Sequence, residues 1–537
     1  MAGKMCLIMS SSNSPVVQFL KRTVSIPKRS KSTMTVINEQ QELQSPQSKE
    51  TTKKQSINFS YFPLGYKNSA CQWWKSLTPA ATERMVFSFV PHIQGYSQPG
   101  LTDVLNSTLD SSLSKSTGDP YGPRYLFSKL IALSGVDRAI NELSVERIGE
   151  DVEQNLVMLH GYGAGLGFFY KNIEELSRTK AWKIFAIDML GMGRSSRPPF
   201  KIYAKDQAGM ITEAENWFTD SLEEWRKIKK LEKFTLLGHS MGGYFAVAYA
   251  LKYPGRLNKL ILVSPVGIPE NPYATSEDLP EPNSSTLAQE FTQDQDETSG
   301  IKKTNKIDEI NGEDSDKMIS KKPVLKKNAK PPSQKLPKWL IYLWDANVSP
   351  FSIIRWTGPL GPRFVSGWSS RRFAHLPAEE SEALHQYAYS LFRQPGSGEY
   401  ALAYILAPGA FARSPLINRI HKVGRQELPT KFRDKNDNTT ASLKETGIPI
   451  IFMYGENDWM DVAAGYAAEQ RLNEEKAKVL ETASNEDRMR ENGSTKVIII
   501  KNAGHHLYLD NWKEFNKIIR NEMEETRLRD RHDQSSL

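Results

Sequence analysis

Gly238-His239-Ser240-Met241-Gly242 joins the apolar run Phe234–Leu237 to Met241–Tyr253, where Phe245, Val247 and Tyr249 recur at helical spacing. A serine on a tight strand-to-helix turn presents its hydroxyl clear of the backbone, and flanking glycines avoid a clash with the neighbouring chain. The helix that follows aims its N-terminus at that hydroxyl, where negative charge developing during acyl transfer is favoured. Ser240 is therefore the candidate nucleophile. Glycine and serine at this spacing also fit a plain structural turn; the strand before and the helix after favour the chemical reading.

Three further clusters follow apolar runs in the same way. His160-Gly161-Tyr162-Gly163-Ala164-Gly165 comes after Leu156–Leu159, and its small residues let backbone N–H groups face a substrate oxygen. The N–H groups of Tyr162 and Met241 are the expected oxyanion hole, in which losing one donor costs about 3 kcal/mol of transition-state stabilisation. A phosphate-cradling loop would need a following Lys-Ser/Thr and a different glycine spacing. Tyr454-Gly-Glu-Asn-Asp458-Trp-Met-Asp461 comes after Ile448–Tyr454. Asp458 is the expected orienting carboxylate, with Asp461 and Glu456 as the alternatives in reach. Ala503-Gly504-His505-His506 comes after Val497–Ile500. His505 is the expected base and His506 a packing neighbour.

These clusters require strands that end at one edge of a sheet. Adding Ile184–Ile187 and Leu260–Val263 gives six short runs that are apolar throughout, the mark of parallel strands covered on both faces. Ile211–Leu231, with Trp217, Leu222, Trp225 and Ile228 at helical spacing, lies between two of them. Strand and helix alternate, so the expected class is α/β, a mostly parallel sheet flanked by helices.

The chain has 537 residues, 39% apolar and 25% charged, with a mean hydropathy of −0.51. It affords a globular body together with long solvated stretches. No run approaches the length of a spanning helix, so membrane contact is expected to be peripheral. Cys6 and Cys71 are its only cysteines, which excludes a disulfide framework and a Cys-based metal centre; no cofactor or metal is expected. A net charge of +8 and a pI near 9.0 suit an anionic partner. The basic residues lie mostly in tails and an insertion without a nucleic-acid reading module, so lipid is preferred over nucleic acid.

Residues 1–38 hold no Asp or Glu and mix Lys4, Lys21, Arg22, Lys28, Arg29 and Lys31 with serines. That is how a mitochondrial presequence reads, a disordered basic tail being the alternative. The expected order continues with a linker (39–60), a first core segment (61–271), a polar disordered insertion (272–336), a cap (337–425), a second core segment (426–525) and a tail (526–537). The cap assignment rests on crowded aromatics, among them Trp339, Trp344, Phe351, Trp356, Phe364 and Trp368, interspersed with Lys338, Arg355, Arg363, Arg371 and Arg372. Such a composition suits a lipid interface and equally a cap's own core.

Across roughly 60–271 and 337–525 the chain resembles the α/β-hydrolase fold. His160–Gly165, Ile187-Asp-Met-Leu-Gly-Met-Gly-Arg-Ser-Ser196, Gly238–Gly243 and His505-His-Leu-Tyr-Leu-Asp510 resemble one lipid-acting subfamily; Trp73-Trp74 with Ala81 and Glu83 does so less specifically. That subfamily contains a triglyceride-lipase co-activator, lysophosphatidic acid acyltransferases and a fungal mitochondrial cardiolipin-specific phospholipase. The resemblance implies a serine acyl hydrolase acting on a glycerophospholipid, with cardiolipin at the inner mitochondrial membrane as the expected substrate. Co-activator members lack the nucleophilic serine that this chain keeps. The resemblance also marks His505 and Asp510 as an acyltransferase-type pair; helix capping by Asp510 or Asn511 is the competing reading.

Overall fold

The computed structural model describes residues 63–92, 119–270, 347–407, 411–429 and 443–535. The expected presequence, linker and polar insertion lie outside these residues, as do Lys338, Trp339 and Trp344.

Eight strands form one sheet: β1 (Arg124–Ala132), β2 (Ala139–Arg147), β3 (Gln154–Leu159), β4 (Trp182–Ile187), β5 (Phe234–His239), β6 (Leu257–Val263), β7 (Pro449–Gly455) and β8 (Ser494–Ile500). Their order is β1-β2-β4-β3-β5-β6-β7-β8. Strand β2 is antiparallel to β1 and β4, and the remaining pairings are parallel. The six apolar runs all lie on β3 to β8. Strands β1 and β2 lie outside those runs, because polar residues interrupt them. On β2, Asn141 and Glu142 are buried by virtue of their partners: Glu142 accepts from Trp225 Nε1 (2.8 Å) and Lys229 Nζ (2.9 Å).

The helices used below are α1 (Tyr66–Lys75), α2 (Pro79–Phe87), α3 (Tyr170–Leu176), α4 (Gln207–Ile228), α5 (Met241–Lys252), α6 (Pro350–Trp356), α7 (Gly361–Arg372), α8 (Ala378–Phe392), α9 (Leu402–Ile405), α10 (Val462–Thr482), α11 (Leu507–Asp510) and α12 (Trp512–Ser535). Two cores result, one on each face of the sheet. Residues of α4, α5, α9 and α10 fill the first, and residues of α2, α3, α8 and α12 the second. Helix α4 starts where Asp206 Oδ1 accepts from the Gly209 N–H (2.8 Å), the usual N-cap bond. Its buried stripe is Ala214, Phe218, Leu222 and Trp225; Ile228, expected on that stripe, is 46% exposed.

The structure corrects two boundaries. Helix α1, assigned above to the core, packs on the cap, where Ser69 Oγ donates to Pro359 O (2.7 Å). Helix α2 serves both: Val86 and Phe87 lie in the second core, and Thr82 Oγ1 is 2.8 Å from Ser390 Oγ of the cap. The segment 526–537 is no loose tail through Ser535. It continues α12, buries Thr526, and donates from Arg529 to Asn258 O (2.9 Å).

Candidate active site

Ser240 sits between β5 and α5 with φ 54° and ψ −117°. A non-glycine residue in such a conformation costs about 1–3 kcal/mol and persists only where its surroundings enforce it. Here the Ser240 N–H donates to Val263 O (2.9 Å), while Ser240 O accepts from the N–H groups of Val266 (3.2 Å) and Gly243 (2.9 Å). The flanking glycines are required sterically. A Cβ on Gly238 would lie 2.4 Å from Gly242 O, and one on Gly242 would lie 2.5 Å from His160 O.

Asp458 and His505 meet in the loops after β7 and β8, with His505 Nδ1 3.2 Å from Asp458 Oδ1 and both side chains inaccessible to solvent. The imidazole donates from Nδ1 to the carboxylate, which leaves Nε2 as the nitrogen able to accept a proton. The carboxylate has two further donors, Ser264 Oγ on Oδ2 and the Met460 N–H on Oδ1 (3.0 Å). Of the alternatives to Asp458, Asp461 caps α10 by accepting from the Ala463 N–H (3.0 Å), and Glu456 accepts from the Asn502 N–H (3.0 Å). His239, adjacent to Ser240, connects the serine to this pair: its Nε2 donates to His505 O (3.0 Å), and the two rings are 4.8 Å apart.

Met241 is the first residue of α5, where backbone N–H groups have no acceptor within the helix. Tyr162 lies in the loop after β3, and its ring stacks on cap residue Phe351 at 5.1 Å. A buried polar network holds this loop from beneath. Asp188 accepts from the Leu166 N–H (2.7 Å), the Arg194 N–H (2.8 Å) and Asn141 Nδ2 (2.8 Å). Asn141 Nδ2 also donates to Glu83 (2.9 Å), which receives Arg194 Nη1 (2.8 Å). Burial pushes the Asp188 carboxyl up, and its three donors act against that shift. His160 Nε2 accepts from the Met189 N–H (3.1 Å), so its proton is on Nδ1, which donates to Gly161 O (2.7 Å). Desolvation lowers the His160 pKa to about 4 and also drives those of His239 and His506 well down.

Asp510 has a different neighbourhood from the one its spacing suggested. Its Oδ2 accepts from the Gly504 N–H (3.0 Å), and its Oδ1 pairs with Arg372 Nη1 of the cap (3.0 Å). Arg372 Nε also donates to His506 Nδ1 (3.0 Å). Capping of α12 falls to Asn511, whose Oδ1 accepts from the Glu514 N–H (3.4 Å). Asp510 and Arg372 therefore clamp the loop that carries His505 from both sides. A cavity of about 420 Å³ lies between α1, α2 and α8, lined by residues such as Cys71, Lys75 and Tyr389 and by none of the candidate site residues.

His239, Ser264, Asp188, Asn141 and Arg372 join the site without being expected there from the sequence. His239 and Asp188 stand inside the motifs given above. Ser264 and Arg372 give no local signal, since their partners are 194 and 138 residues away.

Residues 154–300 match the family model of the alpha/beta hydrolase fold. A protein of Oryza sativa subsp. japonica named "Probable 1-acylglycerol-3-phosphate O-acyltransferase" is 30% identical over 388 residues, 71% of this chain and 69% of that protein. The 1-acylglycerol-3-phosphate O-acyltransferase of Arabidopsis thaliana is 29% identical over 450 residues, 83% of this chain and 82% of its own. A (lyso)-N-acylphosphatidylethanolamine lipase of Homo sapiens is 27% identical over 388 residues, 71% and 83% of the two chains. With the strand order, the serine turn and these relatives together, the chain belongs to the α/β-hydrolase family, within its lipid-acting subfamily.

Proposed function

We propose that the protein is a serine acyl hydrolase that removes a fatty acyl chain from a glycerophospholipid. Ser240 Oγ attacks the ester carbonyl while His505 Nε2 takes its proton. Asp458 holds the imidazole and stabilises its charged form, and the N–H groups of Tyr162 and Met241 receive the oxyanion. The protonated His505 then gives its proton to the departing lysolipid alkoxide. Water, deprotonated in turn by His505, cleaves the acyl-enzyme to free fatty acid and regenerates Ser240. The observation that carries this reading is a serine in an enforced elbow one residue from a ring that touches the buried Asp458–His505 pair.

The names of the relatives support a phospholipid-like substrate. Cardiolipin, met at the inner mitochondrial membrane by a peripherally bound enzyme, is the specific choice; the basic, acid-free segment 1–38 supports that address. Acyl release from cardiolipin, phosphatidylglycerol and phosphatidylcholine in mixed micelles tests it. Ser240→Ala should abolish release from all three, and equal wild-type rates on the three would remove cardiolipin from the proposal.

The acyltransferase names of two relatives favour a second reading, transfer of an acyl group from acyl-CoA to a lysophospholipid hydroxyl. It predicts labelled product from acyl-CoA and its loss in Asp510→Ala. A third reading, a non-catalytic lipase co-activator, predicts that a fluorophosphonate leaves Ser240 unlabelled.

A further inference from the structure

The aromatics of the cap divide into two groups. Phe351 stacks between Tyr162 and Phe392, and Trp368 packs on Phe373 (5.5 Å), so these belong to the interior. Trp356 is 72% exposed and Phe364 57%, with Ile353 and Leu360 also exposed between or beside them. Trp356, Leu360 and Phe364 recur every fourth residue through α6, the turn Gly358–Leu360 and α7. Helix α1 is bound to the same turn and helix: Ser69 Oγ donates to Pro359 O and accepts from the Arg363 N–H (3.0 Å), and the Arg363 guanidinium lies 4.5 Å from the Tyr66 ring centre. On α1, Trp74 is 81% exposed and Tyr66 69%. Elsewhere, exposed apolar side chains such as Val136, Tyr203, Met489 and Leu528 belong to separate elements, the ordinary pattern of a protein surface.

The charge of this layer is equally one-sided. Residues 63–82 and 347–378 contain no Asp or Glu. Lys67, Lys75, Arg363 and Arg371 form no ion pair with a carboxylate among the described residues, whereas Arg355 and Arg372 are matched by Glu399 and Asp510. Exposed Trp, Tyr and Phe beside unmatched cations suit the boundary between anionic headgroups and acyl chains. A second copy of the chain suits this face poorly. A two-fold contact sets the same patch against itself, so these cations would meet cations with no carboxylate between them.

We propose that α1, α6, the turn Gly358–Leu360 and α7 form the surface that docks the protein onto an anionic phospholipid bilayer. The inference extends the lipid reading above to a partner surface, and it stands whether or not Ser240 performs hydrolysis. Docking places Trp74, Trp356 and Phe364 among the headgroups, with Lys67 and Lys75 facing lipid phosphates.

The test is flotation of the full chain with vesicles of phosphatidylcholine alone or mixed with phosphatidylglycerol, alongside thermal melting and size-exclusion chromatography. The wild type and Ser240→Ala are expected to bind the mixed vesicles alike and more strongly than the neutral ones. The triple variant Trp74→Ser, Trp356→Ser, Phe364→Ser is expected to lose about tenfold or more in vesicle affinity with its melting unchanged. Lys67→Glu with Lys75→Glu, both at exposed positions, is expected to remove the preference for phosphatidylglycerol. Wild-type binding by the triple variant, or a preserved preference in the lysine variant, overturns the proposal. So does a dimer that the triple variant dissociates without any change in vesicle binding. Loss of acyl release in Ser240→Ala with vesicle binding intact bears on the hydrolase reading alone.

Discussion

The loops after β7 and β8 and the outer layer of the cap treat their charged groups in opposite ways. Asp458 is held by His505, Ser264 and the Met460 N–H, and Asp510 by the Gly504 N–H, Arg372 and the more distant His375 (3.7 Å). Across α1, α6 and α7, by contrast, aromatic rings stand in solvent and Lys67 and Lys75 face no described carboxylate. Burial with several partners fixes a charge in place, as a reaction centre requires. Leaving a charge unmatched keeps it available to something outside the molecule. The two regions are joined at Arg372, the last residue of α7, which reaches both His506 and Asp510.

The largest separation between the regions is expected in Asp458→Asn. Loss of the carboxylate leaves the His505 ring without its orienting partner and should lower kcat by about 10⁴-fold. Vesicle binding should be untouched; equal losses in both assays would erase the distinction. Acid should weaken the buried body that carries both regions. His160 near the strand ends titrates at about 4 and His385 in the cap at about 3, each lowered first by desolvation. Both are neutral when folded and add nothing above pH 6.5. Below it the unfolded chain takes up protons that the folded one refuses, so stability falls by about 1.4 kcal/mol per pH unit for each histidine. Urea melts at pH 7, 6, 5 and 4 check this, and a flat midpoint across that window would contradict the burial argument.

A smaller effect is expected at the junction itself. Arg372→Ala should lower kcat by up to about 10²-fold with little change in KM, because the His505 loop loses a positioning contact and no substrate contact. Arg372→Lys should restore some of the rate, and a change confined to KM would place Arg372 at the substrate instead. The least effect belongs to exposed pairs far from both regions. Lys252→Ala, which removes the ion pair to half-exposed Asp220, should change unfolding free energy by about 0–1 kcal/mol in denaturant titration.

What could be read from the sequence followed from local physics. The apolar runs on β3 to β7 are buried on both faces, and Gly238 answers a clash with Gly242 four residues on. The Val497–Ile500 run, expected to be covered on both faces, is buried only at Ile500, because β8 is the edge strand. Gly242 answers to His160, about 80 residues earlier. Strand β2 escapes such a reading because Asn141 and Glu142 are buried through partners supplied by distant helices and loops, so their polarity resembles solvent exposure. The cap's dual character escapes for a related reason. Trp356 and Trp368 are alike in a string of residues, and only the packing of α7 against Phe373 and α1 separates the exposed ring from the half-buried one. Asp510 stands out in the sequence through its spacing to His505, whereas its geometry is set by an arginine 138 residues earlier.

The stitching of the chain's early portion onto α7 limits how far that portion can be trimmed. The Leu64 N–H donates to Ser366 Oγ (2.9 Å), and Arg363 reaches back to the Leu64 carbonyl. A truncation that keeps Leu64 leaves these bonds in place, whereas one that runs past Lys75 would take away α1, expose the underside of α7, and deprive the polypeptide of Lys67, Trp74 and Lys75.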